Sequence, residues 1–264
     1  MKITVFTSNQ PRHISLIESL ANIADEVFAI QECNTVFPGK VEGFFKKSDI
    51  MQKYFTRVIS AEKEVFGNLK FTSPNVTQLI LKPGDLNLLD INILSPALKS
   101  DIYIVFGSNY IKGDLIDFLI QQKALNIHMG VSPYYRGSSC NFWAMFDDNP
   151  HLVGATIHLL SKGLDSGNIL FHAIPKPEEI DPFVLGMKSV KVAHSALIEY
   201  IKTDLLHRFI PLKQNRELEI RYTKNKDFND IVAKQYLNNL PSPKRVYEKC
   251  KNRQLELFFN PFVG

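Results

Sequence analysis

Short apolar strands that alternate with helices constrain the fold of this chain most strongly. Lys2 to Ser8 shows little alternation and is mostly apolar, as expected of a strand that is buried on both faces. Ile14 to Ile23 has apolar residues at helical spacing, and Glu26 to Ile30 indicates a second strand. A strand, a helix and a second strand in this order are typical of a parallel sheet with crossover helices. The sequence therefore predicts an α/β fold.

The same alternation continues in the centre of the chain. Asp101 to Phe106 predicts a buried strand, Gly113 to Gln122 a helix, and Ala124 to His128 the next parallel strand. We expect a Rossmann-like, mostly parallel sheet with helices on both faces, and ligands at the carboxyl ends of its strands. The first turn lacks the pattern G-x-G-x-x-G, so a bound nicotinamide dinucleotide is not expected.

The remaining segments are assigned from apolar spacing and from helix-start signals. Phe37 to Phe66 predicts one or two surface helices, with a lid or partner surface as the alternative. Leu79 to Leu98 is apolar with breaks at Pro83-Gly84 and Pro96, and it is expected to include a helix. Asp181 and Pro182 open a long helix that is expected to run to about Arg208. We also expect a helix at Cys140 to Phe146 and strands at Val153 to Leu160 and Asn168 to Ile174.

Two units are predicted. Residues 1–210 form a catalytic domain, and residues 211–264 form a small C-terminal appendage, such as a hairpin or a homodimer contact. Basic residues cluster in this appendage at Lys244, Arg245, Lys249, Lys251 and Arg253. A solvated surface is the ordinary explanation of such a cluster.

Composition sets the broad class. The chain has 264 residues with 45% hydrophobic and 22% charged residues, which is typical of a globular protein. Its net charge of +4 favours anionic ligands such as nucleotides but is too small to indicate nucleic acid by itself. Three widely spaced cysteines indicate neither a disulfide framework nor a metal site. The polar start and the absence of a long apolar run predict no signal peptide, no membrane segment and a cytoplasmic location.

The stretch from Leu125 to Ser139, L-N-I-H-M-G-V-S-P-Y-Y-R-G-S-S, has the residues best suited to chemistry. Asn126 and His128 lie two apart on a strand and therefore point to the same face. Asparagine offers a neutral hydrogen-bond donor, and histidine transfers protons near neutral pH. Such a pair at the carboxyl end of a strand suits chemistry at a carbonyl group.

These residues also carry a resemblance to a known family. The pattern N-I-H-x-x-x-x-P-x-Y-R-G and the stretch T-I-H-L-L-S-K-G-L-D-S-G-N-I-L at Thr156 to Leu170 resemble the formyltransferases that use 10-formyltetrahydrofolate. That family includes methionyl-tRNA formyltransferase, glycinamide ribonucleotide transformylase and the sugar N-formyltransferases. The similarity runs from about Tyr103 to Leu170, and it implies the formyltransferase fold, 10-formyltetrahydrofolate as co-substrate and no metal. This chain has G-V-S-P where the family commonly has S-L-L-P, so the substrate contacts of that loop do not carry over.

The resemblance implies three catalytic residues, because the family has an Asn, a His and an Asp at the positions of Asn126, His128 and Asp165. Preorganised donors stabilise the negative charge that develops on the formyl oxygen, and Asn126 donates without titrating. His128 shares that task when it is protonated, or it shuttles a proton between the two nitrogens. Asp165 orients His128 or an ordered water. The alternatives are a strand cap, a satisfied interior histidine and an ordinary turn residue.

Contacts to the co-substrate follow from the same resemblance. The family segment at Gly107 to Ile111 binds the pterin ring through its backbone, and the segment at Leu160 to Gly163 covers the other side. The predicted contacts are Gly107, Ser108, Asn109, Tyr110, Ile111, Leu160, Ser161, Lys162 and Gly163. A plain loop between a strand and a helix is an equally good interpretation of the individual side chains.

The acceptor is expected to contact the loops after the first strand and after the Asn–His strand. The predicted contacts are Ser8, Asn9, Arg12, His13, Tyr134, Tyr135, Arg136 and Gly137. Arg12 suits a phosphate at a helix N-terminus, and a solvated arginine is at least as good an interpretation. Phe142 and Trp143 are further candidates, although a core position is the better interpretation of Trp143. For His158 a structural role is the better interpretation. Cys140 has no obvious base nearby, so nucleophilic catalysis is not expected of it.

The predicted function is transfer of a formyl group to the primary amine of an amino sugar, linked to a nucleotide, in the synthesis of surface glycans such as O-antigen and lipopolysaccharide. Methionyl-tRNA formyltransferase is an alternative, but its C-terminal β-barrel needs more than a tail of about 50 residues. Glycinamide ribonucleotide transformylase is a second, although its chains are typically shorter. A formyltetrahydrofolate hydrolase and a folate-binding protein with a relic site are the others. No membrane partner is expected.

Overall fold

The computed structural model describes residues 1–43 and 45–264. Its strands are β1 Lys2–Thr7, β2 Glu26–Glu32, β3 Val76–Leu81, β4 Ile102–Val105, β5 Leu125–His128, β6 Tyr135–Gly137, β7 Ala155–Leu159, β8 Ile169–Ile174, β9 Arg221–Thr223 and β10 Phe262–Val263. Its α-helices are α1 Pro11–Ala21, α2 Asp49–Phe66, α3 Gly113–Gln121, α4 Cys140–Phe146, α5 Pro182–Lys202, α6 Asp230–Asn238 and α7 Pro243–Lys251.

A central sheet organises the described residues. Eight of their strands join it in the order β10-β8-β7-β5-β4-β1-β2-β3. β7 runs antiparallel to its neighbours β5 and β8, and the remaining pairs are parallel. The mostly parallel α/β sheet expected from the sequence is therefore confirmed. β1 lies at the point where the strand order reverses, and ligands bind at the carboxyl ends of strands at such a point.

Apolar side chains cover both faces of the sheet. On one face, Ile3 and Val5 of β1 pack with Ile17 of α1 and Ala193 of α5. On the other face, Phe6 of β1 packs in a second cluster that includes α3. The alternation of side chains along each strand explains why these strands are apolar at nearly every position. A third apolar cluster joins α2, α4, α6 and α7 to the start of α5.

Several boundaries differ from those expected. Val76–Leu81 forms the edge strand β3. Its side chains are all partly or fully exposed, so it has no buried apolar run that would predict a strand. Pro83 and Pro96 interrupt the segment after it, so that short 3₁₀ turns replace the predicted helix. α5 ends at Lys202 rather than near Arg208, because Asp204 adopts a left-handed conformation with φ of 55°.

The C-terminal residues are tied to the rest of the chain. β10 pairs with β8, and β9 pairs with β6 in a separate two-stranded sheet. Helices α6 and α7 occupy the region where a hairpin was one expectation. Ala233 and Tyr236 of α6 are buried in the same cluster as Tyr54 of α2. The division into two domains at residue 210 stays a prediction. Among the described helices, none is both long and apolar enough to cross a bilayer.

Candidate active site

A cavity of about 990 Å³ opens at the carboxyl ends of β1, β4 and β5. Ser8 follows β1, Gly107 follows β4, and Asn126 and His128 lie on β5; all four line the cavity together with Asp165 from the turn between β7 and β8. Its place in the sheet is the one expected for ligand binding in an open α/β fold.

The structure brings the three predicted catalytic residues together. Nδ1 of His128 lies 3.3 Å from Oδ1 of Asp165. Nδ2 of Asn126 donates to the same carboxylate oxygen at 3.3 Å. The side chain of Asp165 is only 12% exposed, so its charge is directed into the site rather than toward bulk solvent. Residues almost 40 positions apart therefore meet at one point in the cavity wall.

His158 fixes the orientation of the Asn126 amide. Nδ1 of His158 lies 2.8 Å from the carbonyl oxygen of Leu159, which only accepts, so Nδ1 carries a hydrogen. In the neutral ring Nε2 is then free to accept from Nδ2 of Asn126, at 2.9 Å. Both amide hydrogens of Asn126 are engaged, and the longer bond to Asp165 is the one that a substrate oxygen can replace. His158 thus has the structural role expected for it, and the residue that it orients belongs to the site.

Asp165 and His128 form a buried ion pair. Burial lowers the pKa of His128, but the adjacent Asp165 carboxylate and Cys140 outweigh burial and place this pKa well above its ordinary value. Burial raises the pKa of Asp165, but His128 and His158 outweigh it and hold this pKa well below its ordinary value. Nε2 of His128 faces the carbonyl oxygen of Tyr135 at 3.2 Å. Because both ring nitrogens face acceptors, the site favours the imidazolium form.

The predicted co-substrate loop lies partly in the cavity wall. Gly107, Ser108, Asn109 and Tyr110 line it, whereas the side chain of Ile111 is buried in the apolar cluster beside α3. A backbone contact at Ile111 stays a prediction. Gly107 has φ of 71°, and a Cβ there would lie 2.5 Å from Nε2 of His13. This position therefore requires glycine, both for its conformation and for its close approach to a neighbouring side chain.

The segment predicted to cover the other side of the co-substrate, Leu160 to Gly163, lies outside the wall of the main cavity, and its contacts stay predictions. Leu160 packs against the apolar cluster beside α3, and Lys162 is exposed and pairs with Asp117 at 2.5 Å. Ser161 is likewise absent from the cavity wall, and Gly163 lines a separate cavity of about 300 Å³. The turn brings its next two residues, Leu164 and Asp165, into the main cavity instead.

Glu32, at the end of β2, supports the predicted loop from beneath. Its Oε2 accepts from the backbone N–H of Asn109 at 2.9 Å, and its Oε1 accepts from the backbone N–H of Gly84 at 2.6 Å. Glu32 is buried and lines the cavity. Sequence reasoning missed it, and the available signal was an acidic residue at the carboxyl end of an apolar strand.

Four of the predicted acceptor contacts line the cavity: Ser8, Arg12, His13 and Gly137. Nη1 of Arg12 donates to Oε1 of Glu62 at 2.8 Å, and Glu62 is 4% exposed. This pair neutralises the arginine, which weighs against the expected phosphate contact. Asn9 donates to the carbonyl oxygen of Asn34 at 2.9 Å and does not line the cavity, so its contact with the acceptor stays a prediction.

The other three predicted acceptor contacts, Tyr134, Tyr135 and Arg136, do not line the main cavity. The hydroxyl of Tyr134 donates to the carbonyl oxygen of Leu257, and that of Tyr135 donates to Asp147. Arg136 pairs with Glu219 at 2.9 Å. The segment forms strand β6 against β9 rather than an open loop, and its side chains bind Leu257, Asp147 and Glu219. Contacts of these three residues with the acceptor stay predictions.

Aromatic side chains form another part of the cavity wall. Tyr54 of α2, Phe142 of α4, Phe183 of α5 and Tyr236 of α6 all line the cavity. The ring centroid of Phe142 lies 5.8 Å from that of Tyr54 and 4.9 Å from that of Tyr236, and both contacts are edge-to-face. Of these four, the sequence singled out Phe142 alone, because the others come from distant elements. Trp143 is buried in the core, as expected.

Cys140 lies beside His128, a neighbour that the sequence did not indicate. A Cβ added at Gly130 would contact both the Cys140 side chain and Nε2 of His128. The thiol is directed toward the carbonyl oxygen of Gly137 at 3.3 Å and is buried. Its surroundings give Cys140 a packing role beneath the cavity. No group of three or more side chains suited to hold a metal occurs among the described residues.

Comparisons with known proteins connect this site to formyltransferases. No protein-family model matches the chain. Methionyl-tRNA formyltransferase of Caldanaerobacter subterraneus subsp. tengcongensis is 29% identical over 121 residues, which cover 46% of this chain and 39% of that protein. The bifunctional polymyxin resistance protein ArnA of Wigglesworthia glossinidia brevipalpis is 28% identical over 179 residues, or 67% of this chain and 26% of that protein. The matches therefore span well under half of these curated relatives.

Solved structures extend the similarity over most of the fold. The formyltransferase PseJ from Anoxybacillus kamchatkensis, in complex with UDP-4,6-dideoxy-4-formamido-L-AltNAc and tetrahydrofolate, gives a TM-score of 0.52 at 19% identity, covering 95% of this chain and 100% of that one. A 4-N formyltransferase from Francisella tularensis gives 0.52 at 20% identity over 86% and 77% of the two chains. Glycinamide ribonucleotide transformylase 1 from Symbiobacterium toebii gives 0.52 at 16% identity over 81% and 94%. The chain has the formyltransferase fold, and the resemblance seen in its motifs is confirmed.

Proposed function

We propose that this protein is an N-formyltransferase that moves a formyl group from 10-formyltetrahydrofolate to the primary amine of an amino sugar linked to a nucleotide. One observation carries the proposal. Nδ2 of Asn126 and Nδ1 of His128 each lie 3.3 Å from Oδ1 of Asp165, at the carboxyl end of β5 and in the wall of a large cavity. A neutral donor, a cation and a carboxylate in that arrangement suit acyl transfer between two nitrogens.

The cavity has the features that the formyl donor requires. Its volume of about 990 Å³ lies at the upper end of the range for small-molecule sites, so it suits two reactants at once. The backbone from Gly107 to Tyr110 borders it beside His128, and Glu32 holds this loop through the N–H of Asn109. A backbone edge fixed in this way suits a flat heterocycle with donors and acceptors along its rim. When bound, the donor supplies an electrophilic carbonyl carbon.

The protein residues then stabilise charge and move protons. As the acceptor nitrogen bonds to the formyl carbon, Asn126 donates to the carbonyl oxygen that becomes negative, exchanging its long bond to Asp165 for a stronger one. His128, held as an imidazolium by Asp165, stabilises the same charge and gives a proton to the departing nitrogen. It recovers a proton from the acceptor nitrogen, so the protein ends the reaction unchanged.

An amino sugar is supported as the acceptor by the solved structures and by the cavity wall. The formyltransferase PseJ, whose whole chain this fold covers, is bound to a formylated UDP-linked sugar. The aromatic wall of Tyr54, Phe142, Phe183 and Tyr236 suits a flat nucleobase and the apolar face of a sugar ring. Lys224 lies at the exposed edge of the cavity and offers a cation for phosphate. A role in surface glycan synthesis and a cytoplasmic location stay predictions.

Methionyl-tRNA is the second candidate acceptor, because several curated relatives are named methionyl-tRNA formyltransferase. A contact with tRNA would need free basic side chains, and the five that cluster in the C-terminal segment are the candidates. Arg245 and Lys249 both pair with Asp148, and Arg253 donates to the carbonyl oxygens of His151 and Pro175. Three of the five basic side chains are thus engaged within the protein, which weakens the case for tRNA.

An acceptor screen tests the proposal. Purified protein and 10-formyltetrahydrofolate are incubated with UDP- and dTDP-linked amino sugars, glycinamide ribonucleotide or initiator methionyl-tRNA, and the products are analysed by mass spectrometry. We expect a formylated amino sugar. Consumption of the donor without any acceptor would instead indicate a hydrolase, and formylation confined to methionyl-tRNA or glycinamide ribonucleotide would reject the amino-sugar assignment.

A further inference from the structure

The turn that carries Asp165 does not hold its shape by itself. Asp165 has φ of 45°, in the left-handed region, where an aspartate costs on the order of 1 kcal/mol. Gly167 allows a very close approach, since a Cβ there would lie 1.7 Å from the carbonyl oxygen of Leu159. A turn with this conformation persists only where surrounding groups fix it.

Gln214 provides the first of these groups. Its Nε2 donates to the carbonyl oxygen of Asp165 at 2.9 Å and to that of Gly167 at 2.8 Å. Because both partners are acceptors, the orientation of this amide is defined. Oε1 of Gln214 is buried without a partner in the described structure, which costs free energy. The side chain is therefore placed for its two donors, at the expense of its acceptor.

The backbone next to Gln214 is fixed as well. Leu212 and Ile169 exchange two backbone hydrogen bonds of 2.8 Å each, directly after the turn.

Arg136 provides the second group that fixes the turn. Its Nη2 donates to the carbonyl oxygen of Leu164 at 3.1 Å, while its Nη1 donates to Glu219. Three carbonyl oxygens of this one turn are thus bound by side chains from outside it.

We propose that Gln214 is a positioning residue for catalysis: together with Arg136, it holds the backbone of the turn so that the Asp165 carboxylate reaches both His128 and Asn126. This inference rests on the proposed function. Gln214 and Glu219 both belong to the C-terminal segment, so this segment supports the site by holding the turn and Arg136 in place. The protein then needs its C-terminal residues for the chemistry as well as for folding.

The distances show why the effect is large. Asp165 contacts its two partners at 3.3 Å, which is already the long end of the range for such bonds. A displacement of about 1 Å would remove both contacts, and misplacement on that scale costs up to about 100-fold in rate. Burial would then lower the pKa of His128 without opposition from the carboxylate.

The test is Gln214→Met, which keeps the length of the side chain and removes its donors, with Lys213→Met as the matched control at the exposed neighbouring position. We expect kcat for the amino sugar to fall about 10- to 100-fold in Gln214→Met and to be unchanged in Lys213→Met. The His128 ring is titrated by NMR in the same proteins, and its midpoint is expected to move to lower pH in Gln214→Met alone. If Gln214→Met does not fold, Gln214→Asn, which shortens the side chain by one methylene, is expected to shift both quantities in the same direction.

A second background separates positioning from general stability. In Asp165→Asn, adding Gln214→Met is expected to cause no further loss of kcat, because the carboxylate that it positions is gone. Equal losses in both backgrounds, or an unchanged His128 midpoint in the folded Gln214→Met protein, would overturn the inference. The NMR titration needs no substrate, so it decides this inference even if the acceptor screen rejects the proposed function.

Discussion

At the residue scale, the proposed chemistry depends on where the hydrogens of Asn126 and His128 point. His158 takes one amide hydrogen of Asn126 at 2.9 Å, which leaves the other on a long bond to Asp165. The carboxylate of Asp165 in turn favours a charged His128. A site built in this way has one neutral donor and one cation ready for a carbonyl oxygen before any substrate arrives, which is the preorganisation that lowers a barrier.

Asn126→Ala is expected to lower kcat by about 100- to 1,000-fold, the usual cost of removing one donor to a developing oxyanion. The fold should persist, because the variant loses only side-chain contacts at the edge of the cavity. Steady-state kinetics and thermal unfolding check both points, with Asn168→Ala, at an exposed position, as the matched control. A kcat within a factor of two of the unchanged protein would exclude Asn126 from the reaction.

Asp165→Asn is expected to lower the pKa of His128, because burial still acts and the opposing charge is gone. His128 has a raised pKa in the folded protein, so the stability from its ion pair is complete below about pH 6.5 and is lost as pH rises through that raised pKa. Asp165 has a lowered pKa, so the stability that its charged carboxylate contributes is lost as pH falls below about 4. The difference in unfolding free energy between the two proteins should therefore be largest between about pH 4 and 6.5. A difference that does not change with pH would contradict this pairing.

Local motifs identified Asn126, His128 and Asp165, because each lies in a short pattern that is typical of one chemistry. Glu32, Glu62 and Gln214 carried no such pattern. Their partners lie tens of residues away, and a buried polar residue acquires its meaning from those partners alone. The aromatic wall was missed for the same reason.

At the scale of elements, helices with clear start signals were predicted well. Asp181 and Pro182 open α5 as expected, and the side chain of Asp181 accepts from the backbone N–H of Phe183 at 2.9 Å. Strands whose partners are remote were not predicted: β3 lies at an edge of the sheet, and β6 forms only because β9 pairs with it. Pairing between distant segments leaves little trace in local composition.

Asp181→Ala tests the link between α5 and α2 at the wall of the cavity. It removes the helix cap and the ion pair with Arg57, whose atoms lie 2.5 Å apart. We expect a loss of about 1 kcal/mol in unfolding free energy, most of it from the cap, because the ion pair is partly exposed. Asp181→Asn keeps the cap and serves as the matched variant, with a loss well below that of Asp181→Ala in denaturant titrations. Equal losses would assign the effect to the ion pair instead.

At the scale of the whole molecule, the C-terminal segment is part of the structure that surrounds the cavity. It contributes Tyr222, Lys224 and Tyr236 to the cavity wall, and it adds β10 to the sheet. Arg253 joins it to the rest of the chain through the carbonyl oxygens of His151 and Pro175, at 2.7 and 2.8 Å. We therefore expect one cooperative unfolding transition rather than two.

Arg253→Ala is expected to lower the unfolding free energy by about 3 kcal/mol, because two part-buried, charge-assisted hydrogen bonds are lost. The whole protein should lose this stability together, as shown by coincident circular dichroism and tryptophan fluorescence transitions. Lys251→Ala, at an exposed site in the same segment, should leave the transition unchanged. Separate transitions would instead support two independent domains divided near residue 210.

The measurement that tests the central claim most directly is single-turnover transfer with a donor that carries an isotopic label in its formyl group. The unchanged protein, Asn126→Ala and His128→Asn are each mixed with the labelled donor and the amino sugar identified by the screen. We predict that the label reaches the sugar nitrogen in the unchanged protein and that both folded variants transfer it at least 100 times more slowly. Label released as free formate, or transfer by both variants at the unchanged rate, would contradict the account.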